Sequence, residues 1–173
     1  MRIKWAAVAV AASALVLSGC GSGDGSEQTG PSRPAPKVVA LGPFVGECGN
    51  VTDDEIRDAG GIGQATRVFR NAVGCNWQAG GFGGASITFA SYRGSPIERE
   101  RAWVTVNGRA PEQIEVAGKP GFAALDPGGS ICDLAIQLGD DFFEWSTNLG
   151  PFGSGNPCDR SRALAELTLQ RIR

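Results

Sequence analysis

Histidine is absent from the 173-residue chain, and the chain has only one tyrosine and one methionine. Without imidazole, Ser-His-Asp and Cys-His nucleophile systems, His-ligated zinc and a histidine pH switch are all excluded. Lysine is also scarce. Lys119 is the only lysine after residue 37, and no Ser-x-x-Lys motif contains it, which excludes a serine hydrolase with a lysine base.

Positive charge is in short supply as well. Once the first twenty residues are set aside, 14 basic side chains face 18 acidic ones, a net charge of −4. Nucleic-acid binding requires clustered positive charge, so no nucleic-acid partner is expected. The glycine-rich residues 80–84 lack the Gly-Lys-Ser/Thr ending of a phosphate loop, and EF-hand spacing is missing. We therefore expect no cofactor and no metal site.

The chain has no apolar run long enough to span a bilayer, which takes about 20 residues. Its longest uncharged apolar run, residues 5–17, follows a short positive start and is typical of a secretory signal peptide. The sequence Leu17-Ser18-Gly19-Cys20 then resembles the lipobox of bacterial lipoproteins. That resemblance implies cleavage before Cys20, a diacylglycerol thioether on its sulfur and an acylated amine. Two or three acyl chains make such an anchor durable.

Residues 21–37 contain no apolar side chain larger than alanine and several prolines, which predicts an unfolded linker. We expect residues 1–19 to be the signal peptide and residues 20–40 to be the lipidated cysteine with its flexible linker. Residues 41–173 form a single α+β domain in this interpretation. The domain would lie on the extracytoplasmic face of the plasma membrane, held there by its lipid anchor.

Four cysteines remain after Cys20, which in an exported chain indicates two disulfides with three possible pairings. Zinc is disfavoured because no two of these cysteines lie within four residues of each other. We favour Cys48–Cys75 and Cys132–Cys158, since each pair closes a loop of similar size and ties a terminal helical segment to a strand.

The hydrophobic pattern predicts helix, three strands, helix, four strands, helix. Thr52 and Glu55 form a capping box for the first helix, and Ser95, with Glu98 reaching back, is the expected cap of the second. Pro157 and Asp159 start the last helix, which we expect to run from Arg160 to Arg173. Strands joined by short turns predict a mainly antiparallel sheet with helices packed on it, which is the α+β class.

Several segments together carry a family resemblance, and the most specific are Cys75-Asn76-Trp77 and the arginine-rich start of the second helix. The others lie at residues 48–53, 140–146 and 157–159. With the lipobox, these segments resemble actinobacterial lipoproteins that share a domain of unknown function. The resemblance covers residues 46–173 and implies an exported, lipidated, disulfide-bearing domain of a mycobacterial type of envelope. It implies no activity. Thirteen arginines against three lysines fit a GC-rich actinobacterial source.

Aromatic residues are the main candidates for a binding site. Phe82, Trp103 and Tyr92 could line an apolar pocket for a lipid or glycolipid, and Arg93 could contact an anionic headgroup. Phe82 is the strongest contact candidate because it lies among four glycines. For Trp77 and Trp145 we expect core packing instead. Ion pairs within the helix, such as Glu98 with Arg101, are the plainer interpretation of the other charges there.

The carboxylates at Asp140, Asp141 and Glu144 are the remaining candidates for chemistry. Adjacent residues of a strand point to opposite faces, so we expect these side chains to be solvated rather than convergent. The leading hypothesis is a non-enzymatic envelope lipoprotein that binds a lipid, a glycolipid or an envelope protein. Alternatives are a carboxylate-based enzyme acting on cell-wall glycan and an accessory subunit of an envelope transporter.

Overall fold

The alternating apolar segments form one antiparallel sheet in the computed structural model, which describes residues 38–80 and 83–172. The strands are β1 (Thr66–Arg70), β2 (Gly74–Gln78), β3 (Ser86–Tyr92), β4 (Ala110–Val116), β5 (Lys119–Leu125), β6 (Ile131–Leu138) and β7 (Asp141–Asn148). The helices are α1 (Asp53–Asp58), α2 (Ile97–Val106) and α3 (Pro157–Arg171), and a 3₁₀ turn (Glu47–Asn50) precedes them. The predicted α+β class and the predicted order of helices and strands are confirmed.

The last strand enters the middle of the sheet. The spatial order is β1-β2-β3-β7-β6-β5-β4, so β7 separates the first three strands from the next three. All neighbours are antiparallel, and β7 pairs along its length with both β3 and β6. This arrangement places side chains of β3, β6 and β7 side by side on each face of the sheet.

One face of the sheet forms the main core against α1 and α3. Trp77 and Trp145 are fully buried there, as predicted, with ring centroids 5.9 Å apart. Phe89 packs on Trp145 with a centroid distance of 4.9 Å. The Trp145 indole N–H donates to the Thr168 hydroxyl of α3 at 3.1 Å, so its polar atom is satisfied inside the core.

Two disulfides join helical segments to this sheet. Cys48 of the 3₁₀ turn is bonded to Cys75 of β2, and Cys132 of β6 to Cys158 of α3. The favoured pairing is therefore the one that the structure contains. Both bonds lie on the side of the sheet that carries the main core.

The helix starts agree with the sequence only in part. Thr52 and Glu55 form the predicted capping box: the Thr52 N–H donates to the Glu55 carboxylate at 2.9 Å, and the Glu55 N–H donates to the Thr52 hydroxyl at 3.3 Å. The prediction that Ser95 caps α2 is wrong. Pro96 occupies the N-cap position, which leaves Ser95 one residue too early, and its buried hydroxyl makes no hydrogen bond with any described residue. Glu98 pairs with Arg101 at 3.2 Å instead of reaching back.

Among the described residues, the helix that packs on the opposite face of the sheet is α2. Ile97 and Val104 are the buried residues of this ten-residue helix. They pack on an apolar cluster of β5, β6 and β7 formed by Phe122, Ala124, Ala135 and Phe142. Across the described residues, no helix has the length and apolar character needed to cross a membrane. Because α2 is short, no helix within residues 38–80 and 83–172 covers the part of this face that belongs to β2 and β3.

Removing the second disulfide tests how strongly α3 is held to the sheet. The double variant Cys132→Ala, Cys158→Ala removes a crosslink between two residues that are 26 positions apart in the sequence. On the chain-entropy model we expect the free energy of unfolding to fall by about 2–4 kcal/mol, measured by urea denaturation. An unchanged free energy of unfolding would contradict this expectation.

Candidate functional site

A groove of about 760 Å³ lies where α2 leaves the sheet uncovered. Gly74 of β2 and Ala90 of β3 are directly opposite each other in the strand register, and both line the groove. Small residues at these paired positions leave the groove open, because a larger side chain would project from the sheet into the space of the groove. The walls are mainly apolar and come from Phe69, Val73, Tyr92 and Pro96, with Asn71, Thr88, Arg93 and Arg99 supplying polar groups.

Tyr92 forms the wall of the groove next to α2. Its ring stacks on Phe142 of β7 with centroids 4.3 Å apart and an angle of 15° between the planes. Burial, assisted by the negative charges of Glu144 and Glu100, raises the pKa of the Tyr92 phenol to about 12. A phenol with the ordinary pKa of 10.0 is already protonated at neutral pH, and the raised pKa keeps this hydrogen-bond donor protonated in more alkaline solution as well.

Arg93 lines the groove, as a headgroup contact would, but it is already engaged. Its guanidinium lies 3.1 Å from the Asp141 carboxylate and donates to the Gly42 carbonyl at 3.2 Å. Arg99 differs, because it makes no ion pair within residues 38–80 and 83–172. Of these two cations, Arg99 is the one available to a ligand in the groove.

Trp103 lies beside the groove and not in it. It lines a second depression of about 540 Å³ on the outer side of α2, together with Tyr92, Arg99, Glu100 and Val106. Tyr92 and Arg99 are shared between this α2 depression and the groove. The structure thus brings Tyr92 and Arg93 together and places Trp103 next to them. Phe82 and Cys20 lie outside the described residues.

The carboxylates of the Asp140-Asp141 segment hold the start of the domain. The Ala40 N–H donates to Asp140 at 2.7 Å, and the Gly42 N–H donates to Asp141 at 3.0 Å. Asp141 also accepts from the Gly94 N–H at 2.7 Å. Asp141 and Glu144 are three positions apart on β7. Their side chains therefore point to opposite faces of the sheet and do not converge. The expected solvation is wrong for Asp141, which is buried.

A buried polar cluster under α2 escaped the sequence analysis. Asp133 of β6 pairs with Arg109 at 3.1 Å and accepts from the Ser146 hydroxyl at 2.6 Å. Glu144 of β7 is 9% exposed on the same face. Burial raises the pKa of Glu144 to about 8, and the negative charges of Asp133 and Glu100 add to the effect. The expected solvation is therefore also wrong for Glu144, because α2 covers this part of the sheet.

This cluster lies apart from the two hollows beside α2. Asp133 and Glu144 line neither the groove nor the α2 depression. The described residues also contain no group of three or more Cys, Asp or Glu side chains placed to hold a metal ion. The spacing of Phe142, Glu144 and Ser146 along β7 indicates that their side chains share one face of the sheet. It does not indicate that α2 covers that face.

Replacing Glu144 tests the protonated state of the cluster. A pKa raised in the folded state stabilises the fold below the ordinary value of 4.5, and this stabilisation is lost as the pH rises through about 8. We therefore expect Glu144→Gln to have little effect on stability at pH 5 and to stabilise the fold at pH 9 by on the order of a few kcal/mol. Urea unfolding at both pH values measures this difference.

The matched control is Glu112→Gln, which removes an exposed carboxylate on the edge strand β4. This variant should change stability by the same small amount at both pH values. If Glu144→Gln behaved like the control, the buried carboxyl would not be protonated at neutral pH.

Comparison with known proteins places this fold in a family. The family model described as "Protein of unknown function (DUF3558)" matches residues 15–171. The chain is 38% identical to the Mycobacterium tuberculosis protein named "Putative lipoprotein LprB" over 184 residues, covering 99% of this chain and 98% of that protein. The Mycobacterium leprae protein of the same name is 33% identical, with the same coverage of both chains. No solved structure matches the chain.

The family match spans the lipobox, the four paired cysteines and the strands that form the groove, and the relatives align over nearly their whole length. The resemblance expected from the sequence is thereby confirmed: the chain belongs to the DUF3558 family of proteins of unknown function, with relatives that are named lipoproteins.

Proposed function

We propose that this protein is a non-enzymatic, lipid-anchored lipoprotein of the outer face of the plasma membrane, and that it binds an amphiphile in the groove beside α2. Lipid or glycolipid is the ligand class, with an apolar chain in the groove and a polar headgroup at its edge. The groove itself, an apolar hollow on the face of the sheet that α2 covers only in part, is the observation that carries the proposal.

The size and lining of the groove support this ligand class. Its volume of about 760 Å³ falls within the range of roughly 300–1,000 Å³ that small-molecule sites occupy. Phe69, Val73 and Tyr92 provide apolar contacts along its walls. Burying a ligand's apolar surface there gains about 25 cal/mol per Å² before the entropic costs of binding.

The position of Arg99 supports an anionic headgroup. Arg99 lies where the groove meets the α2 depression, so a ligand whose chain follows the groove can present its headgroup to this guanidinium. Arg99 is not tied to a carboxylate of the described residues, and it would not have to break an ion pair to bind the ligand. A phosphate or carboxylate is the group that a guanidinium recognises best.

Non-enzymatic binding is favoured over glycan hydrolysis by the placement of the acids. Asp140 and Asp141 accept hydrogen bonds from backbone amides, while Glu144 is buried under α2. A glycosidase requires two carboxyl groups about 5–9.5 Å apart that flank an accessible bond. The candidate acids do not offer this arrangement.

Filling the floor of the groove tests the proposal. We expect Ala90→Phe to weaken binding of a fluorescent fatty acid at least about tenfold, because the new ring occupies the space of the ligand chain. The control Ala110→Phe makes the same replacement at an exposed position of the edge strand β4 and should bind as the wild type does. Equal affinity in all three proteins, or capture of a partner protein at this groove without lipid binding, would contradict the proposal.

Neutralising Arg99 tests the headgroup assignment separately. Arg99→Gln should weaken binding of lysophosphatidylglycerol by about tenfold, the loss of one charge-assisted hydrogen bond, and leave binding of monopalmitoylglycerol unchanged. Competition against the same fluorescent probe measures both affinities. A similar loss for the neutral and the anionic ligand would show that Arg99 does not bind the headgroup.

A further inference from the structure

Helix α2 presents an apolar stripe to solvent. Trp103 and Val106 lie three residues apart on the helix and are 60% and 82% exposed. Arg99 precedes Trp103 by one turn and lies on the same side. Ile97 and Val104 already bury the opposite side of α2 against the sheet, so core packing does not account for the exposed stripe.

The stripe continues into the groove. Tyr92 and Arg99 line both the groove and the α2 depression, which makes the two hollows neighbours. On the far rim of the groove, Phe69 and Val73 are also exposed. Exposed apolar side chains therefore extend from α2 across the groove to the turn between β1 and β2. A connected surface of this kind marks an interaction site more often than scattered apolar residues do.

The chain enters the domain beside the same surface. Val39 lines a hollow together with Gly94 and Pro96, and these two residues also line the groove. Asp140 and Asp141 fix this entry by accepting hydrogen bonds from the amides of Ala40 and Gly42. These hydrogen bonds hold the first described residues of the domain next to the groove.

The length of chain ahead of this entry limits what the surface can reach. Residues 21–37 separate the lipobox cysteine from the first described residue, and seventeen residues span at most about 60 Å. A bilayer that holds the anchored end is therefore always within reach of the surface. Tethering also turns docking into an intramolecular step, so that even weak contacts are populated.

We propose that this surface, formed by Val39, Phe69, Val73, Arg99, Trp103 and Val106, docks on the bilayer to which the protein is anchored. Trp103 lies at the boundary between headgroups and acyl chains, where the amphipathic indole is most stable. The mouth of the groove then faces the lipids. Docking goes beyond the proposed function and rests on it for the lipid anchor and for the purpose of the contact, the entry of an amphiphile into the groove.

Tryptophan fluorescence tests the docking, because Trp77 and Trp145 are fully buried while Trp103 is exposed. The lipidated protein is reconstituted in vesicles of phosphatidylglycerol and phosphatidylethanolamine with brominated acyl chains, which quench indoles at the bilayer boundary. We expect quenching of the wild type and loss of most of it in Val106→Glu. Trp103→Phe should remove the quenched emission and so assign it to Trp103.

Two controls separate docking from the groove. Phe152→Glu changes an exposed apolar residue that lines a hollow with residues 83–85, at the other end of β3, and should leave quenching unchanged. Ala90→Phe should keep the quenching while it loses the fatty acid. Unquenched wild type, or full quenching in Val106→Glu, would overturn the docking. Loss of quenching in Ala90→Phe would also overturn it, because the quenching lipid would then lie in the groove.

Discussion

The unequal covering of the two faces of the sheet is the constraint on which the rest of the structure depends. On one face, α1, α3 and both disulfides enclose the aromatic core around Trp145. This core provides the rigidity of the domain. On the other face, a single ten-residue helix is too short to cover seven strands. The part of that face which α2 leaves uncovered forms the groove, so the proposed binding surface and the main core lie on opposite faces of the sheet.

Much of the fold could be predicted because short sequence patterns and residue spacing determine it. The capping box at Thr52 and the alternation along β6 follow from residue spacing, and the cysteine pairing follows from spacing together with the expected export of the chain. The cap at Ser95 was wrong because a one-residue shift in the start of a helix is beyond what propensity can resolve. The entry of β7 between β3 and β6 is a long-range pairing, and no local pattern encodes it.

The sequence allowed some ligand-contacting residues to be predicted, but not the groove that contains them. Tyr92 and Arg93 were recognised as potential ligand contacts, and the groove contains both. The hollow itself depends on Gly74 and Ala90 being neighbours across two strands, which requires the register. Asp133 and Glu144 were missed as a pair for the same reason: they become neighbours only because β6 and β7 are adjacent. In each case the missing information was which strands pair.

The proposed lipid anchor, the groove and the exposed stripe of α2 together support the proposal of an envelope protein that binds amphiphiles at a bilayer. Native mass spectrometry of the protein extracted gently from membranes tests the central claim most directly. The account predicts a chain acylated at Cys20 that carries one additional, non-covalent amphiphile, released when the protein unfolds. An acylated chain with no bound amphiphile, under conditions that preserve the fold, would contradict it.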